Sequence, residues 1–156
     1  MFSSEREMQD LFVILLKKKK TCGLIFEEVG NRNFFFRTDV VEYKNRNGII
    51  GYELKFKDFN KLIEQSLFTL NLFDKSYMVI PLEMKNHFLK ILNEYPNKNK
   101  DKIGVIVVSD EKYRVIKAPE KASTRNYKEK WYCTLIPDLI IRGYHKDGVN
   151  RCKSYK

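Results

Sequence analysis

A mixed α/β fold, a central sheet flanked by helices, is what three features of this chain predict. Short apolar and β-branched runs alternate with stretches whose apolar residues recur at helical spacing. An Asn47-Gly48 pair separates two strand-like runs at a hairpin distance. Two later runs, Tyr77 to Ile80 and Ile103 to Val108, are almost wholly apolar, as suits strands buried on both faces in the parallel part of a sheet. In order the elements read αβββαβαββ, followed by a basic C-terminal extension.

Ser3 or Ser4 caps the first helix, with Glu5 and Glu7 in its first turn and Lys17 to Lys20 at its far end; both placements suit the helix dipole. Met8, Leu11, Phe12, Leu15 and Leu16 form its buried stripe. Leu24-Ile25-Phe26 predicts a short strand that ends near Gly30-Asn31. Phe34 to Tyr43 and Ile49 to Phe56 are the next two, adjacent in an antiparallel meander across Asn45-Arg46-Asn47-Gly48. Asp58 caps a helix running to about Phe73, with Leu62, Ile63, Leu67, Leu70 and Leu72 as its apolar content. Pro81 stops the Tyr77 strand, Leu82 to Glu94 is a helix, Asn97 to Lys100 a loop, and Tyr113 to Ile116 a last strand after the turn at Ser109-Asp110-Glu111.

The 156 residues suffice for one domain with a real core. Thirty Lys and Arg against twenty Asp and Glu give a net charge of +10, and a polyanion is the partner such a surplus favours. The plainer alternative is a solvated lysine-rich surface that aids solubility or heat tolerance. Residues 123–156 hold eight Lys/Arg and three Asp/Glu, about half of the net charge, interleaved with Tyr127, Trp131, Tyr132, Tyr144 and Tyr155. Lys128, Lys130, Arg142 and Lys146 could grip phosphates there and Trp131 stack on a base; the competing reading makes the aromatics core filler. Cys22, Cys133 and Cys152 are too few and scattered for a disulfide framework, and with His145 they lack the spacing of a zinc site. The longest apolar patch, Leu11 to Leu16, is too short to span a membrane and is followed by its lysines, the reverse of a secretory signal. A cytoplasmic protein without a membrane partner is expected.

Chemistry concentrates at Glu53-Leu54-Lys55. Alternate side chains of a strand share a face, so Glu53 and Lys55 project together, about 7 Å apart. Asp39, fourteen positions earlier on the strand expected to pair alongside, adds a second carboxylate. An acidic-x-Lys triplet alone says little, since Glu42-Tyr43-Lys44, Glu83-Met84-Lys85 and Asp110-Glu111-Lys112 share the form. Glu83 reads as a first-turn residue, Asp110 sits in a turn, and Glu42 with Lys44 closes a strand beside a polar hairpin. Two carboxylates and a lysine at a sheet edge can hold a divalent cation and act on a phosphodiester. The alternative for Glu53 and Lys55 is an exposed ion pair of small worth.

The arrangement resembles the PD-(D/E)xK nuclease superfamily, which includes restriction endonucleases, archaeal Holliday junction resolvases and RecB-type nucleases. The resemblance covers about residues 4–117 within a single domain 1–156, leaving about 118–156 as the extension, and Thr38 stands where the family pattern has proline. It implies a restriction-endonuclease-like fold and a Mg²⁺-dependent endonuclease, with Mn²⁺ as an alternative cofactor. Asp39 and Glu53 would be the metal carboxylates, the Leu54 carbonyl a further ligand, and Lys55 the residue that orients the attacking water. Glu5 on the first helix, or else Glu7, would face the site, and Gln65 would match a glutamine many members carry after the lysine. Thr69 replaces the tyrosine of RecB-type members. DNA is the implied substrate, RNA remains open, and homodimers are common in the superfamily. Two other readings stand beside it: a catalytically inactive nucleic-acid-binding protein on the same scaffold, and a structural or interaction protein whose charge only solubilises it. No Ser-His-Asp or Cys-His arrangement has supporting context, and neither a P-loop nor GxGxxG is present.

Overall fold

Ser4 opens α1 (Glu5–Lys17) by accepting the Glu7 N–H on its side chain, while Glu5 and Glu7 complement the helix dipole. The structure, a computed structural model, describes residues 1–31, 36–44 and 48–121. After α1 come β1 (Leu24–Asn31), β2 (Phe36–Tyr43), β3 (Ile49–Leu54), α2 (Phe59–Thr69), β4 (Lys75–Pro81), α3 (Lys85–Glu94), β5 (Gly104–Val108) and β6 (Tyr113–Lys117). This is the α/β class and element order expected from the sequence. Short 3-10 turns at Leu82–Met84 and Lys98–Lys102 flank α3, so the predicted helix from Leu82 begins as a tighter turn and the Asn97 loop is partly helical.

The six strands lie in sequence order in one sheet. β1, β2 and β3 form the antiparallel meander, β3, β4 and β5 are parallel, and β6 returns antiparallel. Alternation along β4 assigns the layers. Val79 packs with Met8, Phe12 and Leu16 of α1, whereas Met78 and Ile80 pack with Leu62, Ile63 and Phe88 of α2 and α3. The sheet is therefore buried on both faces, and β3 is buried at every position.

β1 spans Leu24–Asn31 and ends where the sequence places its end, near Gly30-Asn31. Two boundaries differ from expectation. α2 stops at Thr69 instead of near Phe73: Leu72 N–H turns back onto the Thr69 carbonyl at 2.9 Å, Phe73 is fully buried, and Asp74 accepts the Ile49 N–H at 2.8 Å. Burial of Phe73 and that sheet contact outweigh another helical turn. β3 ends at Leu54, so Lys55 lies just beyond the strand. At the β2–β3 turn Gly48 has φ +96°, and a side chain there would collide with Asp74. Among the described residues no helix is long and apolar enough to cross a membrane.

Candidate metal and phosphodiester site

The site forms where β2 and β3 part. Their pairing runs from Tyr43↔Ile49 to Val40↔Tyr52. Extended by one residue, that register sets Asp39 opposite Glu53, where Cβ atoms of facing residues stand about 4.5–5.5 Å apart. In place of a backbone carbonyl, the Asp39 carboxylate accepts the Leu54 N–H at 2.7 Å. On the other side of β3, Lys55 N–H donates to the Val79 carbonyl at 3.2 Å. A residue in an extended strand directs its N–H and C=O to the same edge, so the Leu54 carbonyl faces Asp39 as well.

Glu53 is 2% exposed, and neither carboxylate oxygen makes a well-formed hydrogen bond among the described residues, with Thr38 and Asp39 as its polar neighbours. Burial, and next the charge of Asp39, push its carboxyl well above the ordinary range. Asp39 is also raised, by burial first; the Leu54 N–H and Lys55 oppose the shift, while Glu28 and Glu5 add to it. Lys55 donates to Glu5 at 2.7 Å. Burial pulls its ammonium down, but the Glu5 hydrogen bond and the charges of Glu5, Asp39 and Glu53 outweigh that and leave it above its ordinary value.

Glu5, Asp39, Glu53 and Lys55 thus meet at one place. Glu7 does not join them: its carboxylate accepts Ser3 N–H at 2.7 Å and Ser3 Oγ at 2.6 Å, and those bonds hold it below the usual carboxylate range. Gln65 on α2 has a buried, unpartnered Oε1 and no hydrogen bond to the other four. Lys128, Lys130, Trp131, Arg142 and Lys146 lie outside the described residues.

Two neighbours escaped the sequence reading. Gln9, 3% exposed, sits one turn after Glu5 and directs Nε2 at Glu27 Oε1 (3.3 Å), Glu28 Oε1 (3.2 Å) and the Asp39 carbonyl (3.4 Å). Glu28, at φ +54° in β1, is paired with Arg37 and approached by Arg6 at 3.9 Å. The available signal was a glutamine four positions after Glu5, on the same helix face, beside an otherwise apolar stripe.

The donor set consists of oxygens only, which suits a hard cation such as Mg²⁺. A buried, unpartnered carboxylate facing a second one is the environment that a divalent cation would relieve. Among the described residues no three His, Cys, Asp or Glu side chains form a ligating group.

No protein-family model and no curated protein matches the chain. Among solved structures it is similar to a protein of unknown function from Silicibacter pomeroyi, at 13% identity and a TM-score of 0.55, over 76% of this chain and 75% of that one. The likeness extends to the fold alone.

Proposed function

We propose that this protein is a metal-dependent nuclease of the PD-(D/E)xK type, hydrolysing DNA phosphodiester bonds. One observation carries the reading: the buried, unpartnered Glu53 carboxylate faces Asp39, with the Lys55 ammonium beside both. Asp39, Glu53 and the Leu54 carbonyl would hold Mg²⁺, or Mn²⁺ in its place. When bound, the cation would supply charge neutralisation at the phosphate and a lowered pKa for an attacking water.

The residues' own parts follow from their positions. Asp39 is fixed by the Leu54 N–H, so its second oxygen has a defined direction. Lys55, kept charged by three carboxylates, can orient a water or a phosphate oxygen. Glu5 holds that ammonium in place until substrate arrives. The net charge of +10 favours association with a polyanion.

The alternative, an inactive nucleic-acid binder on the same scaffold, is favoured by the lack of a three-residue ligating group among the described residues. A nicking and cleavage assay on duplex, single-stranded and junction DNA, in Mg²⁺, Mn²⁺ and chelator, separates the two. The nuclease reading expects cation-dependent products from wild type and none from Asp39→Asn or Lys55→Ala, with DNA binding largely retained. Binding without products in either cation would leave the inactive binder, and wild-type-level cleavage by both variants would rule the mechanism out.

A further inference from the structure

A second buried carboxylate lies on β2, three positions from Asp39. Glu42 is 2% exposed, and its neighbour Tyr52 packs on the face covered by α1. Both its oxygens are engaged: Oε2 accepts from the Tyr52 hydroxyl at 2.6 Å, and Oε1 from Gly23 N–H at 2.9 Å with Lys44 Nζ at 3.4 Å. This group forms part of the wall of a cavity of about 140 Å³, bounded also by the end of α1, by β4 and by β6.

What remains around the cavity is rich in donors and poor in acceptors. Lys19 and Lys75 line it, and neither has a carboxylate partner among the described residues. The Tyr77 and Tyr113 hydroxyls, also lining it, donate to no described group. Aromatic contacts build the walls: Tyr52 stacks on Tyr77 with ring centroids 5.3 Å apart, and Phe12 meets Tyr52 and Tyr113 edge-on. Lys19 Nζ stands 4.2 Å over the Tyr113 ring. Burial, then the charge of Glu42, keeps the Cys22 thiol protonated, so thiolate chemistry is not what the cavity offers.

Charge and size narrow the occupant. Lys19, Lys44 and Lys75 face the single carboxylate of Glu42, an excess of positive charge. The C-terminus of α1 brings a partial negative charge of about half a unit, which Lys17 to Lys20 more than offset. The volume is far below the roughly 300–1,000 Å³ of sites that enclose a drug-sized ligand. The cavity takes one group of a ligand, with the rest outside past the exposed Val115. Ammonium and hydroxyl donors that line one cavity from β4, β6 and the segment after α1 suit a multiply charged, tetrahedral oxyanion better than a flat one.

We propose that this cavity binds a phosphoryl group, held by Lys19, Lys75, Tyr77 and Tyr113. Its sources are the terminal phosphate of a nucleic-acid strand or a free phosphorylated small molecule. The inference is independent of the Asp39–Glu53 reading, because binding here requires no divalent cation.

The test titrates the full chain with inorganic phosphate by calorimetry in chelator, against acetate at matched ionic strength. Saturable one-site phosphate binding is expected, weakened about tenfold by Lys75→Gln and by Tyr77→Phe, the loss of one charge-assisted hydrogen bond. Asp39→Asn should bind phosphate as wild type does. Melting curves without phosphate establish that each variant folds. A 5′-phosphorylated oligonucleotide that binds more tightly than its 5′-hydroxyl twin identifies a strand end as the source; equal binding of the two, with inorganic phosphate still saturating, identifies a small molecule. Absence of saturable phosphate binding, or affinity unchanged in both folded variants, overturns the proposal.

Discussion

Lys55 donates to Glu5 at 2.7 Å, joining the residue just past β3 to the first turn of α1 across fifty positions of chain. The contact closes one end of the candidate site and fixes the ammonium beside Asp39 and Glu53. With 39% of the Glu5 side chain exposed, water weakens the pair, so it positions the lysine more than it stabilises the fold.

Glu5→Gln should therefore act on the lysine. Without the Glu5 charge the Lys55 pKa falls, and any activity that needs the ammonium loses its alkaline limb at lower pH. A move of up to about one pH unit is expected, with little change in thermal stability. The pH dependence of cleavage by wild type and variant checks this; coincident profiles would remove Glu5 from the site.

The two facing carboxylates predict how stability depends on pH. Both have folded pKa values raised above the ordinary 3.8 and 4.5, so the folded state binds more protons than the unfolded one just above those values. Unfolding free energy therefore falls as pH rises from about 4 through the raised folded values. Lys55, also raised, contributes stability that is lost only as pH rises past 10.5, outside that window. In chelator the protein should melt at a higher temperature in mildly acidic buffer than at pH 8. Glu53→Gln should flatten the slope and stabilise the neutral-pH form by about 1–3 kcal/mol. Melting curves from pH 5 to 8 decide it.

The meander carrying Asp39 and Glu53 was legible because its signals are local: β-branched runs on either side of a glycine that must take positive φ. Their facing positions followed from the strand pairing. That Lys55 falls outside β3 was not legible, because the strand ends where the Asp39 side chain replaces a backbone acceptor, a substitution no periodicity encodes. α2 was read too long for a similar reason: Phe73 leaves the helix to fill space beside Gly51, twenty-two positions earlier on β3. Gln9 was missed, and Glu42 was read only as the close of a strand, because their partners lie elsewhere in the chain and a polar residue among apolar ones reads as surface until those partners are known.

Gln9 makes the next prediction. Its amide reaches the Asp39 carbonyl and two half-buried β1 carboxylates, so Gln9→Ala removes the contacts that tie α1 to β1 and frees the β2 backbone that aims Asp39. A loss of about 1–3 kcal/mol in stability is expected. On the nuclease reading, cleavage should fall mainly in kcat with DNA affinity nearly unchanged, because the position of Asp39 is disturbed and the net charge is not. A fall confined to affinity would contradict the positioning role.

Gly51 lies two residues before Glu53 on the same face, and a Cβ there would collide with the buried Phe73 ring. Gly51→Ala should destabilise by about 1–3 kcal/mol through overpacking. Gly51→Ala combined with Phe73→Leu should recover part of that loss, since the leucine vacates the ring's edge. Chemical denaturation of the two variants measures the recovery.

Divalent cations give the most direct readout of the paired carboxylates without any substrate. If Asp39 and Glu53 share a cation, Mg²⁺ or Mn²⁺ binds the folded chain and not the unfolded one, adding about 2.7 kcal/mol of stability at a hundredfold excess over the dissociation constant. The gain should grow as pH rises, because the cation competes with the protons that burial favours on both carboxyls. Asp39→Asn and Glu53→Gln should each abolish the cation-dependent rise in melting temperature, whereas Glu42→Gln, whose carboxylate is already held by Tyr52, Gly23 and Lys44, should leave it intact. A rise that survives in both Asp39→Asn and Glu53→Gln would mean the cation binds elsewhere, and the hydrolytic reading of this site would fall with it.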